Sequence, residues 1–222
     1  MSDYGLTRDR VETYFDRTAT QTWERLTSHE KVSRIRETVR KGRDRMRALM
    51  LSRLPEDLRG ARVLDAGCGT GAMATELAQR GAQVTAVDIS PQLIEIAKRR
   101  LHPALQDQVD FLAGDMSDPA LGRFDFALAM DSLIYYRDAD IGRVIGNLAS
   151  RTGQSIVFTV APRTTLLMVM WQAGKLFPRS DRSPTMVPHD AARLAKHCPG
   201  RLTKIGRITS GFYISECLEH RT

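Results

Sequence analysis

The chain of 222 residues is long enough for one catalytic domain with additions, since a domain usually contains roughly 150 residues. A composition of 42% hydrophobic and 27% charged residues excludes a disordered or fibrous protein. Three cysteines without a CxxC pair exclude a disulfide framework and a structural zinc site, so we expect a cytoplasmic protein that holds no metal.

Residues 1–58 are predicted to form a helical extension, because apolar residues recur near a 3.6-residue period until Pro55. The stretch from Glu30 to Arg47 carries eight basic and three acidic residues and accounts for much of the net charge of +7. The plain interpretation is a solvated helix face, and the alternative is a surface for an anionic partner. No apolar run reaches the roughly 18 residues that a membrane span needs.

From residue 59 the pattern changes to short apolar runs that alternate with helices, which predicts a parallel, doubly wound sheet. The predicted strands are Arg62 to Ala66, Gln83 to Asp88, Gln108 to Ala113, Phe124 to Met130 and Ser155 to Val160. An insertion at about residues 163–188 and a short helix near residues 190–197 follow. Residues 202–209 and 211–218 predict a closing hairpin with its turn at Ser210 and Gly211. Residues 59–222 therefore form one predicted domain.

The loops after these strands lie at the edge where an open α/β sheet binds its ligand. Gly67, Gly69 and Gly71 allow a tight turn before a helix whose N-terminus can hold a carboxylate. The spacing is GxGxG rather than the dinucleotide pattern GxGxxG, and Asp65 would attract an ammonium group and repel a pyrophosphate. S-adenosylmethionine carries an ammonium group and lacks phosphates, so the loop favours this cofactor.

Three further loops extend the same site. Asp88 ends the second strand, where a carboxylate can accept hydrogen bonds from both ribose hydroxyls. Asp115 and Met116 follow the third strand and would contact the adenine, with a simple turn role as the alternative for Asp115. The segment from Met130 to Tyr136 follows the fourth strand, where the sulfonium methyl group would face its acceptor.

Val-Leu-Asp-Ala-Gly-Cys-Gly-Thr-Gly at 63–71, Val-Asp-Ile-Ser-Pro at 87–91 and Gly-Asp at 114–115 resemble the class I S-adenosylmethionine-dependent methyltransferases. The resemblance implies a Rossmann-like α/β fold with a seven-stranded, mostly parallel sheet whose last strand is antiparallel. It also implies S-adenosyl-L-methionine as cofactor and S-adenosyl-L-homocysteine as product. The cofactor-binding residues carried over from it are Asp65, Ala66, Gly67, Gly69, Gly71, Asp88, Ile89, Asp115, Met116 and Met130.

The segments outside this core resemble one subfamily, the magnesium protoporphyrin IX methyltransferases of bacteriochlorophyll synthesis. The resemblance rests on residues 11–16 with Trp23, on 130–136, on 176–180 and on 211–215. It implies methyl transfer to one propionate of magnesium protoporphyrin IX and contact with the porphyrin-binding subunit of magnesium chelatase. We expect a cytoplasmic protein with peripheral association with the photosynthetic inner membrane.

A propionate has a pKa of about 4.3 and is ionised at neutral pH, so the reaction needs no strong general base. We expect Tyr14 and Tyr135 to be catalytic residues at the reacting carboxylate, with hydrophobic packing as the alternative for both. Arg179 or Arg182 would hold the second propionate. The full set of predicted substrate-binding residues is Tyr14, Phe15, Ser132, Tyr135, Trp171, Phe177, Arg179 and Arg182.

Other functions stay open from the sequence alone. The main alternative is methylation of another small molecule, such as a quinone precursor, since many class I enzymes share the core. A nucleic-acid methyltransferase would suit the positive charge, but no RNA-binding module and no Asn/Asp-Pro-Pro-Tyr motif is present, so no nucleic acid is expected. A non-catalytic scaffold protein would not need four intact cofactor loops.

Overall fold

The computed structural model of the protein describes residues 3–16, 34–164 and 185–221. Helix α1 spans Asp3–Tyr14 and helix α2 spans Arg34–Leu51, both within the predicted helical extension. Val11 of α1 and Met50 of α2 are buried, so each helix packs against the rest of the chain. The domain boundary at residue 58 stays a prediction. None of the helices in these ranges is long and apolar enough to cross a membrane.

One mixed sheet forms the centre of the fold. Its strands are β1 (Arg62–Ala66), β2 (Gln83–Asp88), β3 (Val109–Ala113), β4 (Phe124–Ala129), β5 (Thr152–Pro162), β6 (Pro188–His189), β7 (Arg201–Ser210) and β8 (Tyr213–Arg221). The order is β3-β2-β1-β4-β5-β8-β7, and β6 pairs with the end of β5. β1 to β5 are parallel, whereas β8 is antiparallel to both β5 and β7. The predicted fold class is confirmed.

Helices cover both faces of the sheet. The further helices are α3 (Ala72–Gln79), α4 (Pro91–Arg100), α5 (Asp138–Ala149) and α6 (Ala191–Leu194). On one face, Met50 of α2, Leu77 of α3 and Ile94 of α4 belong to a single buried cluster. On the other face, Ile145 of α5 packs with strand residues such as Phe158. Complete burial of such a side chain contributes roughly 1.5–3 kcal/mol, so these two layers stabilise the sheet that positions the site.

The C-terminal hairpin differs from the prediction by one residue. Ser210 pairs with Tyr213, so the turn consists of Gly211 and Phe212 rather than Ser210 and Gly211. Gly211 has a φ of +58°, which a tight hairpin turn requires and glycine adopts without strain. The aromatic Phe212 is typical of a strand, which is why the pattern placed the turn too early. The sequence also does not predict β6, because a two-residue strand has no periodic pattern.

Candidate active site

A cavity of about 320 Å³ lies at the carboxyl ends of β1 to β4. The loops after these strands form one wall, and α1 and α2 form another with Tyr4, Arg8, Arg40 and Arg43. Because parallel strands end at one edge of the sheet, loops distant in sequence converge here. The predicted cofactor residues that line the cavity are Asp65, Gly67, Gly69, Asp88, Ile89, Asp115, Met116 and Met130.

The glycine loop between β1 and α3 has a backbone conformation that favours glycine. The φ angles are +83° at Gly67, +55° at Gly69 and +81° at Gly71. A Cβ atom on Gly67 would overlap the side chain of Ser132, whose Oγ donates a 2.8 Å hydrogen bond to the Ala66 carbonyl. Ala66 and Gly71 do not line the cavity and belong instead to the backbone that shapes this loop.

Two buried carboxyl groups lie beside the glycine loop. Asp65 is 1% exposed, and its Oδ2 atom has no hydrogen-bond partner among the described residues. Asp88 accepts hydrogen bonds from the backbone N–H of Gly69 at 2.8 Å and of Ser90 at 3.0 Å. Burial raises the pKa of Asp65 to about 7, with a further contribution from the charge of Asp88, and raises the pKa of Asp88 to about 6. A bound cation would favour the ionised form of both groups.

Asp115, after β3, is held by the N-terminal helix. The Tyr4 hydroxyl donates a 2.8 Å hydrogen bond to Asp115 Oδ1, and Arg8 Nη1 donates to Oδ2 at 3.4 Å. The Ser117 N–H also donates to Oδ1 at 2.8 Å, so Asp115 has a turn role as well. The Tyr4 ring stacks on Tyr136 with 5.0 Å between the ring centroids. Through Tyr4, α1 therefore connects the loop after β3 to the loop after β4.

Asp131, two residues after the end of β4, connects four elements of the structure. Its Oδ2 accepts a hydrogen bond from Arg43 Nη1 at 2.6 Å, and its Oδ1 accepts from the Tyr213 hydroxyl and from Thr159 Oγ1, both at 3.1 Å. Asp131 has a φ of +56° and is the one non-glycine residue with positive φ in the described parts of the chain. Such a conformation costs about 1–3 kcal/mol and is typical of functional sites.

The predicted acceptor residues that fall within the described ranges lie close together. Phe15, Ser132 and Tyr135 line the cavity, whereas Tyr14 does not. The rings of Tyr14 and Phe15 meet edge to face at 5.2 Å, and those of Phe15 and Tyr135 at 6.3 Å. Burial raises the pKa of the Tyr135 hydroxyl far above its usual range, so this group stays protonated. The remaining predicted residues, Trp171, Phe177, Arg179 and Arg182, lie outside the described residues.

The sequence does not single out Tyr4, Arg8, Arg43 or Asp131, although all four line the cavity. The basic pattern of α2 indicates a charged helix face but not which arginine enters a cavity. For Asp131 a signal was present, since it is a polar residue directly after a central strand of the predicted sheet.

Comparisons with known proteins show the family to which this architecture belongs. A family model described as the C-terminus of magnesium-protoporphyrin IX methyltransferase matches residues 129–222, and a model of a general methyltransferase domain matches residues 63–153. The magnesium-protoporphyrin O-methyltransferase of Rhodobacter capsulatus is 64% identical over 221 residues, which cover 99% of each chain. The chain belongs to the magnesium-protoporphyrin O-methyltransferase family. The resemblance stated from the sequence is thereby confirmed.

A solved structure of this family has the same fold. The crystal structure of magnesium protoporphyrin IX methyltransferase from Synechocystis with bound SAH matches with a TM-score of 0.78 and 28% identity, covering 99% of each chain. By contrast, a ubiquinone biosynthesis O-methyltransferase of Xanthomonas oryzae is 43% identical over 86 residues, 37% of this chain and 35% of its own. Similarity over the full length therefore separates the magnesium-protoporphyrin O-methyltransferase family from the quinone enzymes.

Proposed function

We propose that this protein transfers the methyl group of S-adenosylmethionine to a propionate carboxylate of magnesium protoporphyrin IX, giving the monomethyl ester and S-adenosylhomocysteine. The observation that carries the proposal is the 64% identity, over 99% of each chain, with a magnesium-protoporphyrin O-methyltransferase. The chemistry of the site supports the cofactor independently. The buried Asp65 oxygen, which has no partner within the described ranges, suits the positive charge of S-adenosylmethionine.

The strand order favours one orientation of the cofactor. β3, β2, β1 and β4 are neighbours in the sheet, and neighbouring strands lie about 4.8 Å apart. The carboxyl groups of Asp115, Asp88 and Asp65 therefore follow one another along the edge over about 10 Å. We assign the adenine to Asp115 and Met116, the ribose hydroxyls to Asp88, and the methionine part to Asp65 with Gly67. This assignment leaves the sulfonium methyl group facing the loop after β4.

The methyl transfer needs no proton movement. A carboxylate oxygen forms a bond to the methyl carbon while the bond from carbon to sulfur breaks, which leaves a neutral ester and a neutral thioether. The propionate has a pKa of about 4.3 and is already ionised at neutral pH. Tyr135 stays protonated, so we assign to its hydroxyl the orientation of the carboxylate by a donated hydrogen bond. Tyr14 does not line the cavity, but its ring packs against Phe15, which does, and we assign the same role to its hydroxyl.

Incubation with methyl-labelled S-adenosylmethionine and magnesium protoporphyrin IX tests the proposed function. A labelled porphyrin monomethyl ester is the expected product, and Asp88→Ala should abolish it because the ribose loses its carboxylate. Tyr14→Phe and Tyr135→Phe should lower turnover about 2- to 10-fold, the effect of one hydrogen bond, with unchanged cofactor affinity. A protein that binds S-adenosylmethionine and methylates a quinone precursor but not the porphyrin would refute the proposal.

We also propose that the protein associates peripherally with an anionic membrane. Phe212, at the tip of the β7–β8 hairpin, is 66% exposed, and a Cβ on the neighbouring Gly211 would overlap Thr38 of α2. Arg36 and Lys41 are exposed on the same helix, so an apolar anchor and positive charges lie close together. In sedimentation with anionic vesicles, Phe212→Ser should reduce the bound fraction, and equal binding to neutral vesicles would contradict an electrostatic contribution.

A membrane-associated enzyme of this kind would receive its porphyrin from the protein that inserts the magnesium. We therefore propose contact with the porphyrin-binding subunit of magnesium chelatase. Porphyrin-loaded subunit should crosslink to this protein more efficiently than the empty subunit, and equal crosslinking of both forms would argue against substrate transfer.

A further inference from the structure

We propose that Arg43 binds the propionate carboxylate that becomes methylated, and that Asp131 holds the Arg43 guanidinium in place. This inference rests on the proposed function and adds a residue that recognises the acceptor. Both side chains line the cavity, and Arg43 Nη1 lies 2.6 Å from Asp131 Oδ2. Their side chains are 20% and 9% exposed, so the pair is largely removed from water.

The position of Arg43 along the sheet edge suits the acceptor. The three carboxyl groups assigned to the cationic cofactor lie at the carboxyl ends of β1 and β2 and just after β3. Arg43 instead comes from α2, which packs against β7 and β8 on the other side of β4. The approach is close, since a Cβ on Gly42 would lie 2.6 Å from Cδ1 of Tyr213. Arg43 is therefore fixed beside the loop after β4, which the sulfonium methyl group is assigned to face.

Asp131 is well suited to position a guanidinium. The Tyr213 hydroxyl donates to its two carboxylate oxygens at 3.1 and 3.2 Å, while Thr159 Oγ1 at 3.1 Å and Ser215 Oγ at 3.4 Å donate to Oδ1. These hydroxyl groups fix the direction of the carboxylate that pairs with Arg43. A guanidinium carries five N–H donors, so it can serve Asp131 and a second carboxylate together.

Arg43 and Asp131 together carry no net charge, both before and after the methyl transfer. Before transfer, the sulfonium and the acceptor carboxylate carry opposite charges, as do Arg43 and Asp131. After transfer, the thioether and the ester are both neutral, and Arg43 and Asp131 still neutralise each other. Arg43 thus attracts the substrate carboxylate through charge-assisted hydrogen bonds and loses that attraction for the ester. Such a residue distinguishes substrate from product at the methylated propionate.

Fluorescence titration with magnesium protoporphyrin IX and with its monomethyl ester, in the presence of S-adenosylhomocysteine, tests the proposal without turnover. Arg43→Gln should weaken binding of the diacid about 10- to 100-fold, the effect of a lost charged hydrogen bond, and change binding of the monoester less than about threefold. Arg43→Lys should recover part of the diacid affinity, because the charge remains although the planar fork of donors is lost.

Arg45→Gln is the matched control, because Arg45 lies on the same helix, is exposed and carries the same charge. It should leave both porphyrin affinities unchanged. Asp131→Asn should weaken diacid binding with the monoester unaffected, since Arg43 is then less well held. The affinity for S-adenosylhomocysteine, measured by calorimetry, reports whether each variant keeps its cofactor site. If Arg43→Gln does not fold, Arg43→Lys and Asp131→Asn provide the test.

The outcomes separate the two proposals. A wild-type protein that neither binds nor methylates the porphyrin would refute the proposed function. An active wild-type protein combined with normal diacid binding by Arg43→Gln would overturn the role of Arg43 alone. Equal loss of diacid and monoester binding would also overturn it, because Arg43 would then act on a part of the porphyrin that the reaction does not change.

Discussion

Asp65→Asn should make the cofactor-free protein more stable and should weaken its binding of the cofactor. The carboxyl group is 1% exposed, and its pKa in the folded protein is about 7, against an ordinary value of 3.8. The unfolded chain therefore releases this proton at lower pH than the folded chain does. The protonated Asp65 makes its full contribution to the free energy of unfolding below pH 3.8, and this contribution is lost as the pH rises towards about 7. Across this pH range the free energy of unfolding falls by about 4 kcal/mol.

Urea unfolding of the cofactor-free protein at about pH 5.5 and about pH 8 measures this effect. Ionisation of Asp65 should cost the wild type about 2 kcal/mol between these values, whereas Asp65→Asn does not ionise and should exceed the wild type at the higher pH. Asp57→Asn, at an exposed carboxylate paired with Arg59, is the control and should bring no such gain. Calorimetry with S-adenosylmethionine should show at least about tenfold weaker binding to Asp65→Asn. A variant that is less stable than the wild type at pH values of about 8 and binds normally would refute this reasoning.

Three further substitutions probe the loop, the N-terminal helix and the core. Gly67→Ala should lower cofactor affinity at least about tenfold in calorimetry, because its φ is +83° and the added Cβ overlaps the opposite loop; Gly153→Ala, whose nearest contact is 3.8 Å, should have no effect. Tyr4→Phe removes the 2.8 Å hydrogen bond to Asp115 and should weaken cofactor binding about 2- to 10-fold. A cofactor affinity equal to that of the wild type would show that α1 does not contribute to binding of the adenine. Phe158→Ala, at a position that is 0% exposed, should cost about 3–5 kcal/mol in denaturant unfolding, and a cost below about 1 kcal/mol would contradict tight packing there.

The alternation of strands and helices was predictable because each has its own periodicity, and the glycine loop because its spacing is distinctive. Strand boundaries agree within a few residues; β5, for example, begins at Thr152 rather than at Ser155. The order of the strands could not be predicted in this way, because periodicity shows which residues form strands but not which strands are neighbours. The family resemblance implied a mostly parallel sheet with an antiparallel last strand, and the order β3-β2-β1-β4-β5-β8-β7 is known from the structure.

The residues of the candidate site also differ in whether the sequence predicts them. Asp65 and Asp88 could be predicted as ligands because they lie at the ends of strands, where position alone brings them to the binding edge. The pairing of Arg43 with Asp131 joins residues 88 positions apart, and that of Tyr4 with Asp115 joins residues 111 apart. No local pattern encodes such contacts, since they depend on how α1 and α2 pack onto the finished sheet.

The position of α2 against the C-terminal hairpin bears on how acceptor choice can evolve. The proposed cofactor contacts come from the carboxyl ends of three adjacent strands, β1 to β3, and the loops after them, whereas Arg43 and Tyr213 lie on α2 and β8. Mutations in α2 and the β7–β8 hairpin can therefore change the preferred acceptor while the cofactor half of the site stays the same. Because a Cβ on Gly42 would come within 2.6 Å of the Tyr213 ring, these two segments must change together, and a chimera that exchanges only one of them should lose the acceptor site.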